Sequence, residues 1–322
     1  MSLLVTGTIG IDTVETPFGK AAEVLGGSAV YFSFAASLLS PVRLVGVVGE
    51  DFPRSFREMF QQRDIDTAGL ELRAGSKTFR WHGKYIGDMN AAETLRTDLN
   101  VVSERPPLIP EAFRDSKFVF LANTHPALQR GFIDQLKGPR LVVCDTMNLW
   151  ISQFREELIE TLGRVDGVIF NDGEARLLTG EDNLILAGQR VLNWGPKFVI
   201  IKKGEHGAVL VSDPQRLDKG SAGSGSGHPS ADADDGLFVM PAYPTTRVVD
   251  PTGAGDSFAG GVMGHLASAG QTDLEAIKSA MVRGACLASI TIESFSLDSI
   301  RTARKADLEK RLAQFRRISS HT

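Results

Sequence analysis

Val248-Val249-Asp250-Pro251-Thr252-Gly253-Ala254-Gly255-Asp256-Ser257-Phe258-Ala259-Gly260-Gly261 is the stretch on which the reading of this chain turns. A strand-like apolar pair precedes acids and small residues, and a small, apolar segment from Asp256 to Ala269 follows. That segment reads as a buried helix. Gly253, Ala254 and Gly255 carry little or no side chain, so a ligand can approach their backbone N–H groups closely. The N–H groups at a helix start are unpaired and carry positive partial charge, which makes the turn an anion hole. Asp256 stands inside that hole. A carboxylate there suits a base that takes a proton from an attacking hydroxyl. Amides that neutralise a γ-phosphate and a carboxylate that activates an alcohol together suit phosphoryl transfer. The plainer reading is an Asp that caps a helix after a glycine-rich turn.

The 322 residues are 42% hydrophobic and 23% charged, which fits an α/β protein with an ample core. A single domain over residues 1–322 is expected. The net charge of −4 leaves no global basic footprint, so nucleic acid is not an expected partner. A nucleotide phosphate would have to be held by local amides and Mg²⁺. Cys144 and Cys286 lie in apolar surroundings, as buried thiols in a reducing compartment do, and no Cys/His spacing suggests a metal site. No run is long and apolar enough to cross a membrane, and Met1 to Gly10 lacks the charged start of a signal peptide. A cytoplasmic protein without a membrane partner is the expectation. No G-x-x-x-x-G-K-[ST] occurs, so the anion hole is not a Walker A loop.

Strand-like runs cover Leu3 to Thr6, Val42 to Val48, Phe118 to Ala122, Leu141 to Asp145, Gly167 to Asn171 and Phe198 to Lys202. Thr78 to Tyr85 reads as a short exposed or edge strand. Helical patterns cover Gly26 to Leu39, Phe52 to Arg63, Pro126 to Leu136, Gln153 to Leu162, Gly173 to Leu178 and Asn183 to Trp194. This alternation argues for an α/β fold, a mostly parallel sheet with helices on both faces. Gly207 to Val211 and Gly236 to Pro241 look like a hairpin pair, and Asp273 to Ser289 and Ser299 to Arg316 like closing helices. The low-complexity segment Lys219 to Gly236 reads as a flexible surface loop. Leu70 to Asn100 is polar, aromatic and short-stranded. It suits a small β lid that keeps water from a transferable phosphate.

The string D-P-T-G-A-G-D-S-F-x-G-G at Asp250 to Gly261 resembles the C-terminal signature of the PfkB-type, ribokinase-like, sugar kinase family. The resemblance runs over most of the chain and implies a ribokinase-like fold. Its lid would draw on parts of residues 12–30 and 70–100, and it would use ATP and Mg²⁺. It implies that Asp12, after the strand end Gly7-Thr8-Ile9-Gly10, holds hydroxyls of the acceptor. Gly26 and Gly27 match the family's Gly-Gly motif, where the acceptor meets the backbone. Tyr31 is an acceptor-binding candidate that stands where an Asn is common in these kinases, so the family's usual sugar contact, and with it ribose as the acceptor, does not carry over directly. Asn171-Asp172-Gly173-Glu174 resembles the N-x-x-E motif, with Glu174 acting on Mg²⁺ through water and Asn171 near the phosphates. An N-cap with a first-turn acid would look the same. Lys202-Lys203-Gly204-Glu205-His206-Gly207 resembles a nucleotide-contacting turn, which makes Lys202, Gly204 and Gly207 candidate contacts. Asp250 and Thr252 match residues beside a monovalent cation site, with K⁺ as the implied ion. A homodimer through the lid is a family-level expectation.

Arg80 and Asn90 on the lid segment, and Asn123 after a strand end, are further candidates for acceptor binding. Charges that protect an edge strand from aggregation would explain Arg80 equally well. The motif Asp145-Thr146-Met147-Asn148-Leu149-Trp150 faintly resembles a D-x-N-x-x-x-W pattern of some family members. The combined reading is a kinase that moves the γ-phosphoryl group of ATP to a hydroxyl of a sugar or sugar-like molecule. Asp256 would be the base, and Gly253, Ala254 and Gly255 the amide cradle. A nucleoside acceptor and a non-catalytic nucleotide-binding module are the alternatives.

Overall fold

The structure is a computed structural model and describes residues 1–218 and 236–319. The expected loop at 219–236 lies outside the described residues, apart from Gly236. In chain order the strands are β1 (Leu3–Thr6), β2 (Gly10–Thr16), β3 (Gly19–Gly26), β4 (Val42–Gly49), β5 (Ile65–Arg73), β6 (Phe79–Tyr85), β7 (Ala92–Asp98), β8 (Phe118–Leu121), β9 (Leu141–Cys144), β10 (Gly167–Asn171), β11 (Phe198–Lys202), β12 (Ala208–Ser212) and β13 (Leu237–Met240). Nine of them form one sheet in the order β13-β12-β11-β10-β9-β8-β1-β4-β5. From β11 to β5 every neighbour is parallel, and the expected hairpin adds β12 and β13 antiparallel at one edge. Strands β1, β8 and β9 are buried along their whole length, which is why they read as unbroken apolar runs.

Helices cover both faces of this sheet and close two apolar clusters. Helix Ser28–Ala36 is apolar all round because it is buried all round. It lies under helix Ala254–Ala269, with Phe32 stacked on Phe120 of β8 at 4.6 Å between ring centres. A Cβ at Gly260 would stand 2.4 Å from the Phe32 carbonyl oxygen, and one at Gly261 would stand 2.7 Å from Gly284 Cα. The small residues of 254–269 therefore let three helices pack at close range, which seats the helix start over the carboxyl edge of the sheet.

The closing segment departs from the single helix expected over Ser299 to Arg316. It forms two, Asp298–Thr302 and Lys305–Ser319, because Ala303 is extended at ψ 145°. Arg63 donates to the carbonyls of Ile300, Arg301 and Ala303 at 2.7–2.8 Å, satisfying acceptors that a continuous helix would have used.

The second sheet has four strands, ordered β3-β2-β6-β7. Within the segments 12–30 and 70–100, from parts of which a lid was expected, this sheet uses strands that lie between Gly10 and Gly26 and between Phe79 and Asp98. Ser28 onward is helix, and residues 70–73 belong to the main sheet. Strand β6 is also not an edge: it pairs parallel with β2 and antiparallel with β7. Ser296 Oγ donates to the Leu25 carbonyl of β3 at 2.8 Å, and Arg80 of β6 meets Asp51 at 3.1 Å, so the sheet is fastened to the body on two sides.

Candidate active site

Helix Ala254–Ala269 starts from Gly253, whose φ of 72° is left-handed. A Cβ there would lie 2.1 Å from the Tyr31 ring, so the turn needs glycine on both conformational and steric grounds. Tyr31 is therefore the floor of the turn. It is 1% exposed and its hydroxyl makes no hydrogen bond of ordinary geometry among the described residues, so this acceptor-binding candidate is enclosed beneath the turn. Asp250 pins the turn from below. One of its oxygens accepts from Thr252 N and the other from Ser296 N, each at 2.9 Å. The cradle itself is smaller than expected. The Ala254 N–H donates to the Pro251 carbonyl at 3.1 Å, whereas the N–H groups of Gly253 and Gly255 have no partner among the described residues.

Three carboxylates and one ammonium surround this turn. Asp256 begins the helix, Asp145 follows β9, Glu174 lies in the first turn of helix Asp172–Thr179, and Lys202 ends β11. Burial pushes the Asp256 carboxyl up to about 6, with Lys202 pulling the other way and Glu174 reinforcing the rise. Burial also raises Asp145 well above the usual carboxylate range, helped by the charge of Asp256. Asp145 Oδ1 is buried without a partner among the described residues. Asp145 was not among the residues singled out as site candidates; the D-x-N-x-x-x-W pattern was the signal. Glu174 and Asn171 form a full capping box, with Asn171 N donating to Glu174 Oε2 at 2.7 Å and Glu174 N to Asn171 Oδ1 at 2.8 Å. Glu174, the acid expected to act on Mg²⁺, is thus at the same time the N3 partner of the Asn171 cap. A Cβ at Gly255 would stand 2.6 Å from Lys202 Nζ, so the ammonium lies over the mouth of the turn. Gly204 and Gly207 both have positive φ in the turn after β11, at 54° and 86°.

On the other side of the turn, Asp12 of β2 is 3% exposed, and its Oδ1 is without a partner among the described residues. Burial raises its carboxyl to about 7; the Gly27 amide opposes this, and the charges of Asp250 and Asp256 add to it. A Cβ at Gly26 would lie 1.9 Å from Asp12 Oδ2 and one at Gly27 would lie 2.4 Å from the Thr8 carbonyl oxygen, so the Gly-Gly pair makes room for the acid. Paired residues of neighbouring strands share a face. The register Gly10↔Phe79 and Asp12↔Trp81 therefore puts Phe79, Trp81 and, four residues on, Tyr85 on the face of Asp12. Tyr85 was missed in the sequence. It is buried, its hydroxyl accepts from Thr252 Oγ1 at 3.4 Å, and burial with the neighbouring carboxylates raises it to about 12.

Three candidates are placed elsewhere. Arg80 alternates to the opposite face from Trp81, and its guanidinium is held by Glu23 and Asp51 at 3.0 and 3.1 Å. Asn90 is exposed and stands against Gly204, on the nucleotide-turn side. Asn123 accepts from Trp150 Nε1 at 2.8 Å and donates to Met147 Sδ at 3.1 Å, so it orders the loop after β9.

Residues 134–302 match the model of the pfkB family carbohydrate kinases. The chain belongs to that family. This pfkB family kinase is a phosphotransferase with a hydroxyl group as acceptor. It is similar to a cytidine kinase of Thermococcus kodakarensis, 30% identical over 271 residues, which cover 82% of this chain and 87% of that one. Its fold matches the nucleoside kinase of Methanocaldococcus jannaschii with a TM-score of 0.73 at 18% identity, over 97% of this chain and 98% of that one. It also matches the aminoimidazole riboside kinase of Salmonella enterica with a TM-score of 0.72 at 18% identity, over 97% of this chain and 100% of that one. The kinase thus has the ribokinase-like α/β fold. Among the described residues, no helix is long and apolar enough to cross a membrane.

Proposed function

We propose that this pfkB family kinase phosphorylates a nucleoside, moving the γ-phosphoryl group of ATP to a hydroxyl of its sugar. The observation that carries this reading is the aromatic face of Phe79 and Trp81 beside Asp12. A sugar alone needs hydroxyl partners, whereas a base also offers a π-face for aromatic side chains to cover. Trp81 lies flat enough over its own strand that a Cβ at Gly83 would reach its ring at 2.1 Å. The likeness to a cytidine kinase supports the same acceptor class.

Asp12 orients the acceptor, and Asp256 takes the hydroxyl proton as the oxygen attacks phosphorus. The free amides of Gly253 and Gly255 meet the charge on the moving group. The second sheet acts as the lid that excludes water. Asp145 and Glu174 are buried carboxyls, raised by desolvation and by neighbouring acids, and the Asp145 Oδ1, without a partner among the described residues, offers a hard oxygen ligand, so the donor set fits Mg²⁺. Asp145 and Glu174 would hold that ion through water, where it neutralises the phosphates. Asp250 engages both oxygens with amides, which supports a structural pin in place of a K⁺ ligand.

ADP release measured with Mg-ATP over a panel of pyrimidine and purine nucleosides, free pentoses and hexoses tests this. Turnover of nucleosides with free sugars inactive is expected; turnover of free sugars with nucleosides inactive would overturn it. In the same assay, Asp12→Asn should raise the acceptor KM by about 10-fold or more, because a hydrogen bond to a charged group contributes about 1.5–3 kcal/mol. The ATP KM should stay within about two-fold on the same scale.

A further inference from the structure

We propose that Lys202 is a catalytic residue of this kinase, its ammonium binding the non-bridging oxygens of the γ-phosphoryl group during transfer. This deepens the reading above and rests on it. The ammonium lies over Gly255, at the mouth of the turn whose Gly253 and Gly255 amides are free. Among the described residues no carboxylate comes within ion-pairing distance of it, although Asp145, Glu174 and Asp256 all interact with it electrostatically. A cation held among acids without a direct partner, and aimed at an anion hole, is placed for a ligand that brings negative charge. Arg80 of the lid, in contrast, is fastened to Glu23 and Asp51.

The step balances. The acceptor hydroxyl oxygen forms the new bond to phosphorus, and its proton passes to Asp256. The bond from phosphorus to the bridging oxygen of ADP breaks, and that oxygen leaves with the electron pair. The oxygens of the group in flight sit between the Gly253 and Gly255 amides on one side and Lys202 on the other. Lysine suits this place because its ammonium is a compact point charge on a flexible stem that can follow the group.

The test compares wild type with Lys202→Met and Lys202→Arg. Turnover is measured, together with the affinities of ADP and of a non-hydrolysable ATP analogue by calorimetry, and the melting temperature. For Lys202→Met, kcat should fall by about 10²–10³-fold, the range seen when a transition-state charge partner is removed. The analogue should lose at least about 10-fold in affinity, as one charge contact is worth about 1.4 kcal/mol or more. ADP should lose less than about three-fold on that scale. Lys202→Arg should recover part of kcat. A kcat for Lys202→Met within three-fold of wild type would overturn the proposal, and so would equal losses for ADP and the analogue, which would make Lys202 a general nucleotide anchor. The affinity arm needs no acceptor, so it reads out even if the nucleoside assignment fails.

Discussion

Asp256→Asn is expected to lower kcat by about 10²–10⁴-fold, the range for loss of a positioned general base. ADP should bind it about as well as wild type, because Asn keeps the shape and the turn amides remain. Burial raises this carboxyl to about 6. A base must be ionised to accept a proton. The wild-type rate should therefore fall as pH drops below about 6 and level off above about 7, and the residual rate of Asp256→Asn should lack that limb. Stability should move the other way. The folded-state value lies above the ordinary 3.8, so ionisation costs the folded protein stability at neutral pH, and that cost fades as pH falls through about 6. Asn carries no charge to desolvate. A thermal melt at pH 7.5 should then show Asp256→Asn more stable than wild type, the pattern of a site that holds strain for function. A variant that keeps near-normal turnover would remove the base assignment.

Gly253→Ala should be nearly as damaging to turnover and, unlike Asp256→Asn, should destabilise. An L-residue at φ 72° costs about 1–2 kcal/mol, and forcing a methyl into the Tyr31 ring adds about 1–3 kcal/mol of overpacking. Tyr31 is packed and cannot swing out, so the turn must shift and take its free amides with it. Removing one aligned donor of this kind costs about 10²–10³ in kcat. Gly138→Ala is the matched control. Its φ is 61°, but nothing lies within 4 Å of the added Cβ. It should show the conformational cost alone, with kcat unchanged. Equal losses of melting temperature in the two variants would rule out the steric part of the argument.

The turn at 250–261 was readable because its chemistry is local: glycines, an acid and a small-residue helix are consecutive. The main sheet was readable for a similar reason, since buried parallel strands show as apolar runs. Other features depend on distant partners. Helix Ser28–Ala36 is apolar on every side, so nothing in its pattern says that Tyr31 turns toward Gly253. Arg80 reads as a free cation until Asp51, twenty-nine residues away, closes on it. Strands β2 and β3 are rich in polar and charged residues because one sheet face meets solvent, which hides them from a search for apolar runs. Tyr85 belongs to the site only because the sheet register carries it to Thr252. The contribution of Ala254 was misjudged since a local turn bond to Pro251 uses its amide.

The parallel pairing of β2 with β6 also bears on how the molecule assembles. It joins Gly10 to Phe79 and Glu15 to Lys84, with β3, β4, β5 and two helices between them in the chain. Neither half of this small sheet can complete the other until the intervening chain has collapsed, and such non-local contacts form slowly. During refolding, nucleotide affinity should return ahead of turnover, because the phosphate cradle draws on the early-forming core while the acceptor pocket waits for the register to lock. An excised peptide of residues 10–26 should stay unstructured in water.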